Sequence, residues 1–411
     1  MTNAALNAPT GDLNDQSVPG EGARIRGFDG LRAIAFLLVF ASHKIYLEQR
    51  DALGDVGLWL FFVLSGFLIT RILARSRTEI ENGLCTVTKG LGGFYLRRTA
   101  RIFPPYYLLL AFFAAASVFV PIANFGTSEK LAYLLYGTNV LVGARSEWPG
   151  NFGHLWSLAI EEQFYLLFAP IILLVSRRHT MTVCLAVISA GVVTKIALEA
   201  RHASAVSIDV NSLINFALLG IGGVVGLSAA RPAPKWFTGG AAQVVVLCFY
   251  LALPLVFGTF VRHHLWHLLG KLSAVLVGIL LFQIFQGQQS WFVAALQIPP
   301  ILKIGRISYG AYLIHNFIHF STIEDLLRYI GVEITAPQSV QLLAELTISL
   351  MLASLSWRCL ERPIIALAAR LTRPGSKTLP NSITPSLPPE DPPRADRPCS
   401  DRASYEVIKG E

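Results

Sequence analysis

The sequence predicts an all-α integral membrane protein: one bundle of about ten spanning helices with both termini in the cytoplasm. Three observations predict it. First, 53% of the 411 residues are hydrophobic and only 15% are charged, where soluble domains carry about a quarter charged residues. So few charges cannot cover a water-facing surface, and lipid must solvate much of the chain. Second, apolar runs of about 20 residues, the length a helix needs to cross a bilayer, recur along the sequence. Third, Lys and Arg are biased toward the loops on one side of those runs.

The chain opens with a polar segment, 1–27, which reads as a cytoplasmic tail. The first apolar run has no small-residue cleavage site followed by a soluble domain, so it reads as a membrane helix and not a secretory signal. Spans are expected at 30–47, 55–74, 104–122, 156–176, 180–199, 209–228, 241–260, 267–286, 305–320 and 340–360. The ninth is short and contains polar residues, so it needs tertiary help to span. The second-to-third loop holds Arg71, Arg75, Arg77, Lys89, Arg97, Arg98 and Arg101. Later connections on the same side hold Arg177, Arg178, Arg231 and Lys235, and Arg362, Arg370 and Arg373 follow the tenth span. With ten spans these share a side with Arg24 and Arg26, which the positive-inside rule places in the cytoplasm. Arg145 and Arg262 fall opposite. The membrane domain is expected over 28–365. The Pro- and Ser-rich tail, 366–411, reads as disordered and cytoplasmic. No internal repeat or second soluble domain is evident.

The net charge of +8 sits beside apolar runs, as expected near anionic lipid, and no basic domain with interleaved aromatics points to nucleic acid. The five cysteines include no CxxC pair, so neither a disulfide framework nor a zinc site is indicated. No HExxH, GxSxG, Walker loop or strand-linked GxGxxG occurs, which removes support for metal hydrolysis, serine hydrolase chemistry and nucleotide hydrolysis.

Ionisable groups inside spans are costly, and therefore informative. Arg32 and His43 lie eleven steps apart on the first span, near one face and about 16 Å apart along the axis. A long anionic substrate could bind Arg32 while its reactive end reaches His43; a pair of interfacial residues, one at each border, has the same pattern. Arg98 and Arg101, with Arg97, share a face on a helical turn and suit phosphate. On composition alone an ordinary positive-inside anchor is the favoured reading. The fourth span opens HLWSLAIEEQFYL, with Glu161 and Glu162 in an apolar run. A carboxylate there can orient an imidazolium, bind sugar hydroxyls, or complement a helix N-terminus. On the ninth span Ser308, Tyr312 and His315 line one stripe, either a seam along a substrate path or interhelical hydrogen bonding.

Together the segments FDGLRAIAFLLVFASH, VGLWLFFVLSGFLIT, FYLRRTARIFPPYY, HLWSLAIEEQFYLL, IGRISYGAYLIHNF and LERP resemble the acyltransferase 3 family of membrane acyltransferases, in order, from about Phe28 to Pro363. The resemblance implies an O-acyltransferase of the bacterial inner membrane, with acyl-CoA (acetyl-CoA being commonest) as donor, a glycan as acceptor, and no metal. The family's Arg-x10-His pair maps onto Arg32 and His43, its Arg-x-x-Arg pair onto Arg98 and Arg101, and its WSLxxE segment onto Trp156, Ser157 and Glu161. Many relatives carry a soluble esterase-like domain after the bundle; the sequence given has none, so transfer is expected within the bundle.

The expected mechanism follows. Arg98 and Arg101, helped by Arg32, hold the donor's phosphates. His43 is the general base on the acceptor hydroxyl. Glu161 orients His43 or stabilises its cation. Trp156, Ser157, Tyr312 and His315 are the expected substrate contacts. Direct transfer and an acyl-His intermediate both fit. Two other classes also place charges in a membrane: a transporter or flippase of lipid-linked sugars, and a non-catalytic glycan- or partner-binding component. Acceptor, acyl group and oligomeric state are not readable.

Overall fold

In a computed structural model the described residues are 25–45, 50–229, 231–260, 263–329, 331, 333 and 336–372. The expected tails, 1–27 and 366–411, fall mostly outside them. No strand occurs among the described residues. The helices are α1 (Phe28–Lys44), α2 (Arg50–Glu81), α3 (Val87–Ala116), α4 (Thr127–Leu134), α5 (Thr138–Arg145), α6 (Leu155–Leu174), α7 (Thr180–Ala200), α8 (Ala205–Asp209) and α9 (Ser212–Ser228). They continue as α10 (Lys235–Thr238), α11 (Gly240–Phe260), α12 (His263–Gln286), α13 (Trp291–Leu296), α14 (Pro299–Ile314), α15 (Phe320–Tyr329), α16 (Gln338–Ser356) and α17 (Arg362–Leu371).

Each of the ten expected segments overlaps a helix. Six stretches among the described residues are long and apolar enough to cross a membrane: Ala52–Glu81, Val87–Ala116, Gly150–Leu174, Arg177–Ala200, Ala205–Ser228 and Gln338–Leu371. Their outward faces carry exposed Leu108, Phe112, Leu166, Val193 and Leu343. Lipid solvates such a shell, while water would not tolerate so much exposed apolar surface.

α2 is the hub, packed on α1, α9, α6 and α12. Its crossing with α9 is backbone against backbone. A Cβ on Gly66 would lie 1.9 Å from the Leu219 carbonyl oxygen, and one on Gly222 would lie 2.0 Å from that of Val63. Small residues permit this approach, and in lipid such close packing replaces the missing hydrophobic drive between helices. α1 meets α14 equally closely, at Gly305 against the Asp29 carbonyl. One apolar cluster, with Leu31, Leu60, Phe67, Leu219 and Leu281, fills the space among α1, α2, α9 and α12; a second, aromatic one, with Phe36, Tyr106, Tyr133 and Phe152, lies near His43.

Several boundaries differ from expectation. α3 begins at Val87, where Thr86 accepts from the Lys89 amide at 3.3 Å as an N-cap. Arg97, Arg98 and Arg101 are thus inside a helix and not in a loop, and Pro104 and Pro105 lie within it. α14 runs from Pro299 and tightens into a 3₁₀ turn at His315–Phe317. α16 ends in a π-helical turn, Trp357–Glu361. Residues 366–371, expected to be disordered, complete α17, whose start is favoured by Pro363 in its first turn.

The segment between α3 and α6, which joins the third and fourth expected spans, folds back into the bundle as the hairpin α4–α5. Tyr106 and Tyr107 of α3 donate to the carbonyls of Tyr133 (2.8 Å) and Leu134 (3.0 Å). Gln163 of α6 donates to the Tyr136 carbonyl (2.9 Å) and to Asn139 Oδ1 (2.8 Å). Gln163 lies eight residues into α6, about 12 Å from its start. Side chains of flanking helices thus satisfy the turn's buried carbonyls, the condition for irregular backbone at such depth.

Candidate active site

α1 spaces the site. Near its start Arg32 donates to Asp29 Oδ1 at 2.7 Å. At its other end the His43 side chain is exposed, with Nδ1 3.0 Å from the Val39 carbonyl oxygen and 3.1 Å from His315 Nε2. His315 is fully buried and its Nδ1 lies 2.6 Å from the Tyr312 carbonyl oxygen. A carbonyl only accepts, so each Nδ1 carries the proton. His315 Nε2 then accepts from His43 Nδ1–H, which leaves the lone pair of His43 on Nε2. These tautomers are assigned from the hydrogen-bond partners.

His315 reaches His43 because α14 tightens at that residue. Behind it, buried His154 places its ring 5.4 Å from that of His315 and sets Nε2 3.1 Å from the Leu313 carbonyl oxygen. Tyr312 donates to the His154 carbonyl at 2.9 Å and meets Ser157 Oγ at 2.6 Å. α6 and α14 are thereby pinned together beneath the histidine pair. Lys44, next to His43, is held by Glu345 at 3.1 Å and by the Ile318 carbonyl. Glu345 also accepts from the Phe320 amide at 2.6 Å.

A second cluster lies toward the opposite end. Arg98 is within electrostatic reach of Arg101, Arg32 and Glu161, and its guanidinium sits 5.9 Å from the Phe94 ring and 5.7 Å from the Tyr165 ring. Glu161 accepts from Ser65 (2.8 Å) and Tyr165 (3.0 Å). Glu361, in the π turn and 2% exposed, accepts from Ser356 at 2.9 Å and faces Arg101 electrostatically. Three arginines from two helices are thus gathered with two carboxylates, an arrangement able to hold an anion with several oxygens.

The expected residues therefore divide into two groups. His43 and His315 meet, with Tyr312 and Ser157 just behind. Arg32, Arg98 and Glu161 cluster at the other end, with Arg101 beside Arg98. Glu161, expected to pair with His43, accepts hydrogen bonds from Ser65 and Tyr165, and the His43 ring meets His315. Glu161 lies seven residues beyond His154, the N-cap of α6, about 10 Å along the helix axis. Ser308 donates to the Gly305 carbonyl at 2.9 Å within its own helix. Trp156 is buried, edge-on to Phe62 with ring centres 6.2 Å apart. Lys44, Glu345 and Ser65 were not singled out by sequence; only the adjacency of Lys44 to His43 signalled it. Among the described residues no three His, Cys, Asp or Glu are grouped as metal ligands would be.

A family model described as an acyltransferase domain matches residues 25–357. The chain is 29% identical over 367 residues to Peptidoglycan O-acetyltransferase OatA of Listeria monocytogenes, covering 83% of this chain and 56% of the relative. A provisionally named O-acetyltransferase of Staphylococcus aureus strain COL is 27% identical, covering 82% and 57%. A provisionally named peptidoglycan O-acetyltransferase of Bacillus subtilis is 28% identical, covering 83% and 55%. The chain thus spans about half the length of the curated relatives it matches. No solved structure matches it.

Proposed function

Because this chain belongs to the acyltransferase-domain family, we propose that it is a membrane O-acyltransferase that moves an acetyl group from acetyl-CoA to a glycan hydroxyl. The observation that carries this reading is the separation of two clusters along one helix: arginines at the Arg32 end, and a histidine oriented by a second histidine at the His43 end.

The donor's phosphates bind Arg98, Arg101 and Arg32, whose mutual repulsion Glu161 and Glu361 offset. The thioester arm extends toward His43. There Nε2 takes the proton of the acceptor hydroxyl as its oxygen attacks the thioester carbonyl. The C–O bond forms, the C–S bond breaks, and the proton leaves with the CoA thiolate. His315 accepts from Nδ1–H and holds the ring with Nε2 outward, stabilising the imidazolium that forms. Trp156, Ser157, Tyr312 and His315 shape the substrate end. In this reading the ten helical segments cross the bacterial inner membrane, with both termini and the arginine cluster at the cytoplasmic side. A peptidoglycan-type acceptor is favoured by the relatives' names.

The test is transfer from radiolabelled acetyl-CoA in membranes holding wild type, His43→Ala or Arg98→Ala. Base-labile label in glycan with wild type alone supports the reading. Equal label in all three rejects the site, and no label in any returns the transport reading.

A further inference from the structure

The hairpin α4–α5 carries Tyr136 to the level of Glu162 inside the bundle. Tyr136 has a left-handed backbone, φ 51°, which costs a non-glycine residue about 1 kcal/mol or more. Its carbonyl is held by Gln163. Its ring stacks on Tyr106 at 4.4 Å and on Phe103 at 5.6 Å. The residue is only 7% exposed, yet its hydroxyl has no hydrogen-bond partner. Oε1 of Glu162 is also buried and also has none. The two groups are within electrostatic reach of each other without bonding. An unmade buried hydrogen bond costs about 1–3 kcal/mol, more for a charged group, and native proteins leave few. Here a buried acceptor and a buried donor within electrostatic reach of each other are both left without a partner.

We propose that Tyr136 and Glu162 form a subsite for a secondary amide in the arm of the acyl donor, whose N–H donates to Glu162 Oε1 while its C=O accepts from the Tyr136 hydroxyl. The proposal rests on the donor reading above. Position favours the donor arm. Glu162 is within reach of Arg98, and it lies eight residues along α6 from His154, about 12 Å. The chain joining the phosphates to a thioester at His43 must pass this level. An N-acylated sugar carries the same amide chemistry, and the test separates the two.

The experiment measures acetyl-CoA binding to the purified full chain in detergent by calorimetry, for wild type, Tyr136→Phe and Glu162→Gln, with melting temperature as a check on folding. KM values for acetyl-CoA and for a muropeptide acceptor are then measured in membranes. The expected result is a Kd and KM for acetyl-CoA about tenfold higher in each variant, an unchanged acceptor KM, and a wild-type melting temperature. Unchanged values in both variants overturn the subsite while leaving the proposed function standing. A rise confined to the acceptor KM overturns its assignment to the donor. Failure of wild type to bind acetyl-CoA overturns the donor reading and this proposal with it.

Discussion

At the scale of residues, the tautomer of His43 follows from two acceptors, the Val39 carbonyl and His315 Nε2, that both ask for a proton on Nδ1. Arg32 and His43 were legible in the sequence because a charge on a membrane helix is conspicuous. His315 was legible as polar but not as the partner of His43, since the contact spans 272 positions. His43→Ala should lower kcat at least about 100-fold, the usual worth of a general base. His315→Phe keeps the ring but not the acceptor, and should lower kcat about tenfold with little change in KM. Activity should also fall in acid, because the base must be neutral. A rate–pH profile of wild type and His315→Phe checks both; a wild-type profile flat from pH 8 to 5 would remove His43 as the base.

At the scale of elements, the hairpin α4–α5 had the weakest sequence signal. It consists of two eight-residue helices, too short to read as spans, and its depth is set by tyrosine and glutamine side chains of α3 and α6. Its mouth is tied by Arg145, which donates to Glu129. That bond is the largest cause holding the Glu129 carboxyl below its ordinary value. A depressed folded value means the stabilisation is complete above the unfolded value and is lost as pH falls through the folded one. Arg145→Gln should therefore cost stability at pH 7, by less than about 1 kcal/mol for so exposed a pair. The difference from wild type should vanish in acid. Melting temperatures of the two proteins at pH 7 and pH 3 measure this, and a gap that persists at pH 3 would assign Arg145 another role.

At the scale of the whole molecule, packing around α2 decides where both clusters sit. The α2–α9 crossing leaves no room for a side chain at Gly66 or Gly222. Gly66→Leu should cost about 3 kcal/mol or more through overpacking. It should reduce monodisperse protein after detergent extraction, while Gly83→Ala, at a position with nothing within 4 Å, should extract near wild-type levels despite its positive φ.

The solvent, the helical class and the residues worth suspecting are written into the order of the amino acids. Apolar runs and sparse charge report lipid directly, and an ionisable side chain in such a run is visible without a structure. Which of those residues touch depends on how the helices pack. The start of α3 lies 17 residues before the expected span, at the cap on Thr86, with Pro104 and Pro105 inside the helix. The depth of α4–α5, the His43–His315 contact and the seat of Glu161 among hydroxyls rest on side chains far apart in the chain. Periodicity reports which face of a helix is apolar. It does not report which neighbour that face will meet.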